Sequence, residues 1–187
     1  MGKFVSRAGE KLQFALERFN ISVKDFIVAD FGSSTGGFVD CLLQNGVRRV
    51  YAVEVGYGTL DWKLRNNPRV IVMERTNAMH VVLPEKMDLI TVDTGWTRQK
   101  DVLPNAFRNL KGPTSREASR GTILSLIKPH YEIGKARLKV GQVEKVLQVV
   151  QEDIKKVGAR VEKIVESPIT GAKGKNKEYL ALIKSGF

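Results

Sequence analysis

Apolar residues along the chain follow two alternating patterns: short runs rich in valine, isoleucine and leucine, and longer stretches in which they recur every three or four positions. The short runs predict seven β-strands, at residues 26–31, 50–55, 70–73, 89–92, 123–127, 161–165 and 179–183. The longer stretches predict helices at residues 6–20, 37–44, 59–66, 99–110 and 143–157, the first of them capped by Ser6. Because strands and helices alternate, we predict an α/β fold with a mostly parallel sheet and helices on both faces.

The last two predicted strands are joined without a helical pattern between them, so the seventh strand should return antiparallel. In open α/β sheets, ligands bind outside the carboxyl ends of the strands. Asp93 and Lys128 follow the fourth and fifth strands, and an antiparallel seventh strand would begin at the same edge with Glu178. Since neighbouring strands lie close together, we predict that these three side chains converge in one pocket.

The first strand runs through a carboxylate into a glycine-rich turn, with the sequence DFGSSTGGF at residues 30–38. Its G-x-x-x-G-G spacing differs from the G-x-G-x-x-G that seats a pyrophosphate, and an acid precedes the first glycine. This acid favours a cationic ligand, and S-adenosylmethionine carries an ammonium and a sulfonium but no phosphate. A carboxylate at Asp30, with close backbone approach through Gly32, Gly36 and Gly37, suits this cofactor better than a dinucleotide. The alternatives are a nicotinamide-dinucleotide oxidoreductase and a turn that uses glycine only for its backbone conformation.

The chain carries a net charge of +11 and has an isoelectric point near 9.8. A basic balance of this size predicts attraction to a polyanion, with nucleic acid as the leading candidate. The cations gather at residues 108–120, 135–139 and 173–177, which the pattern assigns to loops. Lysine used only for solubility is the alternative explanation.

No apolar run is long enough to span a membrane, and the N-terminus lacks the apolar core of a secretion signal. We therefore expect a single cytoplasmic domain over residues 1–187, with no membrane contact. The only cysteine, Cys41, lies on an apolar helix face and is predicted to be buried. His80 and His130 make no metal-ligand spacing with it, so we predict no metal site. Trp62 is expected to pack against the core.

Seven segments, spread in order over nearly the whole chain, resemble the TlyA, or hemolysin-A-like, family. They are SRAGEKL at 6–12, DFGSSTGGF at 30–38, VGYG at 55–58, WKLR at 62–65, ERTN at 74–77, KPHYE at 128–132 and SPITG at 167–171. Members of this family are S-adenosylmethionine-dependent ribosomal-RNA 2'-O-methyltransferases with an FtsJ-like catalytic domain. The resemblance therefore implies a Rossmann-like methyltransferase fold, S-adenosylmethionine as cofactor, and ribosomal RNA or a ribosomal subunit as partner.

The resemblance also implies which residues form the site. Its catalytic set of two lysines and two acids corresponds to Lys11, Asp93, Lys128 and Glu178. It implies cofactor contacts along the glycine-rich turn, at Asp30, Gly32, Ser33, Ser34, Thr35, Gly36, Gly37 and Phe38. Beyond the turn, it implies contacts from Glu54 to the ribose hydroxyls and from Asn77 near the adenine, with Val55 and Asp93 completing the set.

Methyl transfer to a ribose hydroxyl requires that the hydroxyl lose its proton. Lys128 is the expected group to steer and deprotonate the hydroxyl, provided that neighbouring Lys11 and partial desolvation favour a neutral amine. Asp93 and Glu178 oppose that shift and are expected to orient the lysines and the substrate. A charged Lys128 that stabilises the developing alkoxide is the alternative.

The chain departs from the family pattern at several points. No separate RNA-binding domain is expected before the helix within residues 1–22, Glu54 stands where aspartate is usual, and residues 112–120 look like an insertion. Trp96 follows the catalytic acid, where it would stack on a base or the cofactor, or else close the core. A non-catalytic RNA-binding or hemolysin-like protein is the main alternative, and a monomer or weak dimer is expected.

Overall fold

The computed structural model describes residues 2–112, 121–138, 141–171 and 176–186. Within these ranges the helices are α1 (Ala8–Phe19), α2 (Gly37–Gln44), α3 (Trp62–Arg65), α4 (Gln99–Asn109), α5 (Pro129–Glu132) and α6 (Val143–Lys156). The strands are β1 (Ile27–Phe31), β2 (Arg49–Val53), β3 (Val70–Met73), β4 (Leu89–Val92), β5 (Thr122–Ile127), β6 (Ala159–Glu166) and β7 (Tyr179–Ser185).

The strands form one sheet in the order β3-β2-β1-β4-β5-β7-β6. Strands β1 to β5 pair in parallel, whereas β7 runs antiparallel to both of its neighbours, β5 and β6. This arrangement confirms the predicted mixed sheet. It has a simple cause, since the described parts of the connection between β6 and β7, residues 167–171 and 176–178, contain no helix of the kind that a parallel crossover uses.

Two hydrophobic cores cover the two faces of the sheet. Helices α1 and α2 pack on one face, and α4 and α6 pack on the other. The central strands β1, β4 and β5 are buried at every position, as is usual for parallel strands covered on both sides. Helix α6 shows how the pattern forms a core face, because Val146, Val150 and Ile154 recur every four positions and are all buried.

Some predicted boundaries were wrong. Helix α1 begins at Ala8 without a side-chain cap, and Ser6 contributes its carbonyl oxygen, which accepts a hydrogen bond from Gly9 N at 3.1 Å. Helix α3 is shorter than predicted because Asp61 caps it by accepting from Lys63 N at 2.9 Å. The short helix α5 was not predicted, although proline at the first helical position is a common start.

Cys41 is fully buried in α2, as predicted. Among the described residues, no helix combines the length and apolar character needed to cross a membrane.

Candidate active site

A cavity of about 610 Å³ opens at the carboxyl edge of the parallel strands. All four predicted catalytic residues line it, and so do all of the predicted cofactor contacts except Gly36. Gly36 faces the interior instead, where a Cβ would lie 2.3 Å from Leu64 Cδ1 and 2.8 Å from Leu60 Cδ1. The glycine at this position therefore lets the turn pack against the segment around α3.

The glycine-rich turn is fixed to the strands on both sides of β1. The amides of Gly32 and Ser33 donate to Val53 O at 2.9 and 3.2 Å, which ties the turn to β2. Gly32 has a φ of +89°, and a Cβ there would lie 2.7 Å from the backbone oxygen of Asp93, next to β4. The turn thus sits against the backbone of a predicted catalytic residue.

Asp30 is almost completely buried at the base of the cavity, with 1% of its surface exposed. Its Oδ1 accepts a hydrogen bond from Thr91 Oγ1 at 2.6 Å, whereas Oδ2 has no partner within the described chain. Burial raises the pKa of Asp30 to about 7; the Thr91 hydrogen bond opposes this shift, and the negative charge of Asp93 adds to it. The carboxyl group is therefore suited to a ligand that brings a positive charge or a hydrogen-bond donor.

Glu54 follows β2 and holds two segments of the cavity wall together. Its Oε2 accepts from Ser34 N at 2.9 Å and its Oε1 from Gly56 N at 2.8 Å. Val55 is 69% exposed at the rim. Asn77 is also exposed, and its Oδ1 accepts from Met79 N at 2.9 Å.

The four predicted catalytic side chains form two ion pairs. Lys128 Nζ lies 2.6 Å from Asp93 Oδ1, and Lys11 Nζ lies 2.5 Å from Glu178 Oε2. The second pair is the more deeply buried, with side-chain exposures of 8% and 5%. The antiparallel course of β7 brings Glu178 to this edge, so the predicted convergence with Asp93 and Lys128 is confirmed.

The charge on Lys128 differs from the expectation of a neutral amine. Burial by itself lowers the pKa of Lys128, but the charge and hydrogen bond of Asp93, together with the charge of Glu178, outweigh it. The pKa therefore lies above its ordinary value, and Lys128 is an ammonium in the free protein. Lys11, which was expected to favour the neutral form of Lys128, is itself paired with Glu178.

Residues of α5 and of the loop after β4 also line the cavity, which sequence reasoning had missed or rated low. His130 is 4% exposed, and its Nδ1 is buried without a hydrogen-bond partner in the described chain. Burial lowers the pKa of His130, and the charge of Lys128 acts in the same direction against that of Glu178. The Oγ1 of Thr94 is likewise buried and unpartnered. A signal was available, because both residues lie within three positions of the end of a strand at the ligand-binding edge.

Trp96 does not close the core, since 63% of its surface is exposed. Its ring stacks on Tyr131, with 4.2 Å between centroids and 26° between planes. Lys128 Nζ lies 5.5 Å from the centroid of the Tyr131 ring. An aromatic surface therefore borders the Lys128 end of the cavity.

Trp62 was predicted to pack against the core, and that prediction was wrong. It is the first residue of α3 and is 76% exposed. The core contacts of this helix come from Leu64 instead.

The basic segments are only partly within the described structure, because residues 113–120, 139–140 and 172–175 lie outside it. Lys111 pairs with the buried Asp88 at 2.8 Å, just before β4 and at the edge opposite the cavity. Residues 111–112, which lead into the predicted insertion, therefore lie away from the cavity. In the described part of the chain, no group of three or more histidine, cysteine, aspartate or glutamate side chains could hold a metal ion.

The sheet order, the antiparallel β7 and the cavity at the glycine-rich turn define a Rossmann-like methyltransferase fold. The same fold occurs in fibrillarin from Aeropyrum pernix, solved with bound S-adenosyl-L-methionine (TM-score 0.63, 14% identity, covering 91% of this chain and 74% of fibrillarin). Residues 4–184 match the FtsJ-like methyltransferase family, and the chain belongs to that family. This membership argues against a nicotinamide-dinucleotide oxidoreductase.

Close relatives have related names. The chain is 38% identical over 193 residues to the 16S/23S rRNA (cytidine-2'-O)-methyltransferase TlyA of Mycobacterium tuberculosis, a match that covers 97% of this chain and 69% of TlyA. It is 38% identical over 192 residues to YqxC of Bacillus subtilis, covering 95% of this chain and 64% of YqxC. The chain thus spans less than two thirds of the length of YqxC. A candidate hemolysin from Streptococcus thermophilus has a TM-score of 0.87 and 35% identity, with 99% of this chain and 68% of that protein covered.

Proposed function

We propose that this protein transfers a methyl group from S-adenosylmethionine to a ribose 2'-hydroxyl of RNA, with ribosomal RNA as the substrate. The observation that carries the proposal is the meeting of an unpaired buried carboxylate oxygen, on Asp30, with two lysine–acid pairs in one cavity. The chain's FtsJ-like family and the printed activity of TlyA support the same reaction. A ribosomal-RNA substrate implies work in the cytoplasm beside ribosomal subunits, and a monomer or weak dimer suffices for it.

The Asp30 end of the cavity is the proposed cofactor end. When bound, S-adenosylmethionine supplies an electrophilic methyl group on a sulfonium. Asp30 and the backbone of the glycine-rich turn would receive its charged end, while Glu54, Val55 and Asn77 would hold the nucleoside. Glu54 can accept further hydrogen bonds, because each carboxylate oxygen has more than one lone pair and accepts one amide here. Gly36 would act only by shaping the turn.

The Lys128 end is the proposed acceptor end. Lys128 orients the ribose hydroxyl and takes its proton, and for this it must first become a neutral amine. A cation bound beside Asp93 would weaken the attraction between Asp93 and Lys128, so the pKa of Lys128 would fall when the cofactor end is filled. Asp93 and Glu178 then hold the two lysines in place. In the alternative, Lys128 stays charged and stabilises the developing alkoxide.

The stacked pair of Trp96 and Tyr131 borders this end and offers an exposed aromatic ring. RNA is usually read through unpaired bases that stack on aromatic side chains. We therefore assign Trp96 to the base of the target nucleotide, which would place its ribose near Lys128.

The test is a methylation assay with S-adenosylmethionine on naked ribosomal RNA and on isolated ribosomal subunits. Mass spectrometry of the digested RNA measures 2'-O-methyl nucleosides. We expect Lys128→Ala to keep its affinity for S-adenosylmethionine and to lose turnover by about 100-fold or more. Lys24→Ala, at an exposed lysine before β1, is the matched control and should leave both unchanged.

Two outcomes would contradict the proposal. If no RNA gains a ribose methyl group although the protein binds RNA, the non-catalytic RNA-binding alternative is favoured. If Lys128→Ala turns over like the unmodified protein, Lys128 has no part in proton removal.

A further inference from the structure

Three large apolar side chains stand exposed on the rim of the cavity, between the end of β2 and the start of α3. Val55, Tyr57 and Trp62 have 69%, 70% and 76% of their surface exposed. Single exposed apolar residues are common on protein surfaces, whereas three within residues 55–62, a segment that begins in the cavity wall, favour an interaction site. We call Val55, Tyr57, Trp62 and the neighbouring Arg75 the aromatic rim.

The aromatic rim is held in place by hydrogen bonds. Gly58 N donates to Glu74 Oε1 at 2.8 Å, and Arg75 N donates to Gly56 O at 3.1 Å. The Arg75 guanidinium carbon lies over the Tyr57 ring, 4.5 Å from the ring centroid, in a cation–π contact. Tyr57 is therefore both exposed and fixed.

The rim is continuous with the proposed site. Val55 lines the cavity, and so does Thr76, which follows Arg75. On the α3 side, the amide of Asp61 donates at 3.2 Å to the carbonyl oxygen of Thr35, another residue of the cavity wall. The rim therefore adjoins the mouth of the cavity into which the target nucleotide must enter.

The charges of this surface suit a polyanion. The nearby acids face inward or have partners: Glu74 is paired with Arg65 and has a side-chain exposure of 9%, and Asp61 caps α3. The cations are more exposed: Arg75 is exposed, and the Lys63 side chain has an exposure of 69%, although its Nζ lies 3.8 Å from Oδ1 of the buried Asp40. Exposed aromatic rings with adjacent cations are the features that bind single-stranded nucleic acid, because bases stack on the rings and phosphates meet the cations.

We propose that the aromatic rim binds an unpaired stretch of the RNA substrate that flanks the target nucleotide. Bases stack on Tyr57 and Trp62, and phosphates lie near Arg75 and Lys63. A duplex does not satisfy this surface, because its base faces are hidden within the helix. This inference rests on the proposed function for its ligand class, but its binding step can be measured without methyl transfer.

The test uses a fluorescently labelled, unpaired oligoadenylate of about ten nucleotides, followed by fluorescence anisotropy. We expect Tyr57→Leu and Trp62→Leu each to weaken binding by about tenfold and to leave S-adenosylmethionine affinity unchanged. Val82→Ser is the control, since Val82 is 86% exposed but lies outside the cavity and the rim. The same oligomer annealed to its complement should bind less tightly.

A second readout locates the contact. The chain has two tryptophans, so Trp96→Phe leaves Trp62 as the only source of tryptophan fluorescence. The unpaired oligomer should quench this fluorescence, and adding Tyr57→Leu should shift the quenching to higher oligomer concentration.

Unchanged oligomer affinity in both leucine variants, absence of quenching, or equal binding of the duplex would each overturn the inference. A dimer in sedimentation that Trp62→Leu dissociates would overturn it too, because the rim would then serve contact between two copies. Rim-dependent binding without ribose methylation by the unmodified protein would instead contradict the proposed enzymatic function alone.

Discussion

Two influences act in opposite directions on the pKa of Asp30. Burial raises this pKa, and a positively charged ligand would lower it. With a pKa of about 7, the Asp30 carboxyl group titrates near neutral pH. Its ionised form is poorly stabilised, because Oδ2 has no hydrogen-bond partner in the described chain. A cation in the cofactor end would favour the ionised form and lower that pKa. Cofactor binding beside Asp30, as proposed, would therefore be linked to release of its proton.

This linkage predicts that affinity for S-adenosylmethionine falls as the pH is lowered from about 8 to about 6, since ligand binding must then displace a proton from Asp30. Isothermal titration calorimetry across this range measures the effect. In Asp30→Asn the affinity should be weaker and nearly independent of pH. Glu132→Gln is the matched control, because burial also raises the pKa of Glu132 to about 7, but Glu132 accepts hydrogen bonds from Gln99 N away from the cofactor end. An unaltered pH profile in Asp30→Asn would rule out Asp30 as the linked group.

Protonation of Asp30 should also affect the pH dependence of stability in the free protein. A carboxyl whose pKa rises from 3.8 to about 7 on folding holds its proton more tightly in the folded state. Its contribution therefore makes the free energy of unfolding fall as the pH rises from about 4 to about 7. Denaturant titrations at several pH values should show a smaller fall in Asp30→Asn than in the unmodified protein.

At the scale of elements, the turn between β1 and α2 leaves little room for side-chain substitution. At Gly32 a side chain would meet both an unfavourable φ of +89° and the backbone oxygen of Asp93, which cannot rotate away. The turn and the segment after β4 therefore depend on each other for their positions.

We predict that Gly32→Ala lowers the free energy of unfolding by about 2 kcal/mol or more and weakens S-adenosylmethionine binding, because the turn and Asp93 must separate. Gly58→Ala is the control, since Gly58 also has a positive φ, of +70°, but has no atom within 4 Å of an added Cβ. It should cost only the backbone strain, about 1 kcal/mol, and keep cofactor affinity. Chemical denaturation and calorimetry of both variants check this. Equal losses of stability and affinity in the two would show that the contact with Asp93 is unimportant.

Much of the site could be predicted from the order of elements. Parallel strands must present their carboxyl ends at one edge, so Asp30, Asp93 and Lys128 were assigned to that edge from the strand pattern alone. Glu178 followed from the missing helix between β6 and β7. Lys11 could not be found in this way, because it lies in a helix and pairs with Glu178, the residue before β7, 167 positions away. Its assignment came from the family resemblance.

Other features depend on tertiary contacts that the pattern does not encode. An apolar residue beside leucines is predicted to lie in the core. Trp62 instead occupies the outer side of a single helical turn, because its exposure depends on how α3 packs against the rest of the protein. The stack of Trp96 on Tyr131 needs a φ of +57° at Trp96, which few non-glycine residues adopt. The charge of Lys128 depends on its distance to Asp93, which sequence spacing does not give.

Over the whole molecule, the net charge of +11 acts on any polyanion near the surface. Phosphate contacts release counterions, so their contribution to affinity falls with salt, whereas a buried ligand site is screened much less. We predict that RNA binding weakens at least about tenfold between about 50 and about 200 mM KCl, while S-adenosylmethionine binding changes little. Filter binding and calorimetry at the same salt concentrations compare the two. RNA affinity that does not change with salt would indicate that the basic residues serve solubility.

The long separation of Lys11 and Glu178 also has a consequence for biosynthesis. During translation, the growing polypeptide carries Lys11 through 167 further additions before the carboxylate that pairs with it exists. Strand β7 must then enter between β5 and β6, so the sheet closes last at an interior position. The cavity therefore cannot be complete until residue 178 has been added, because Glu178 is the last of its lining residues along the chain.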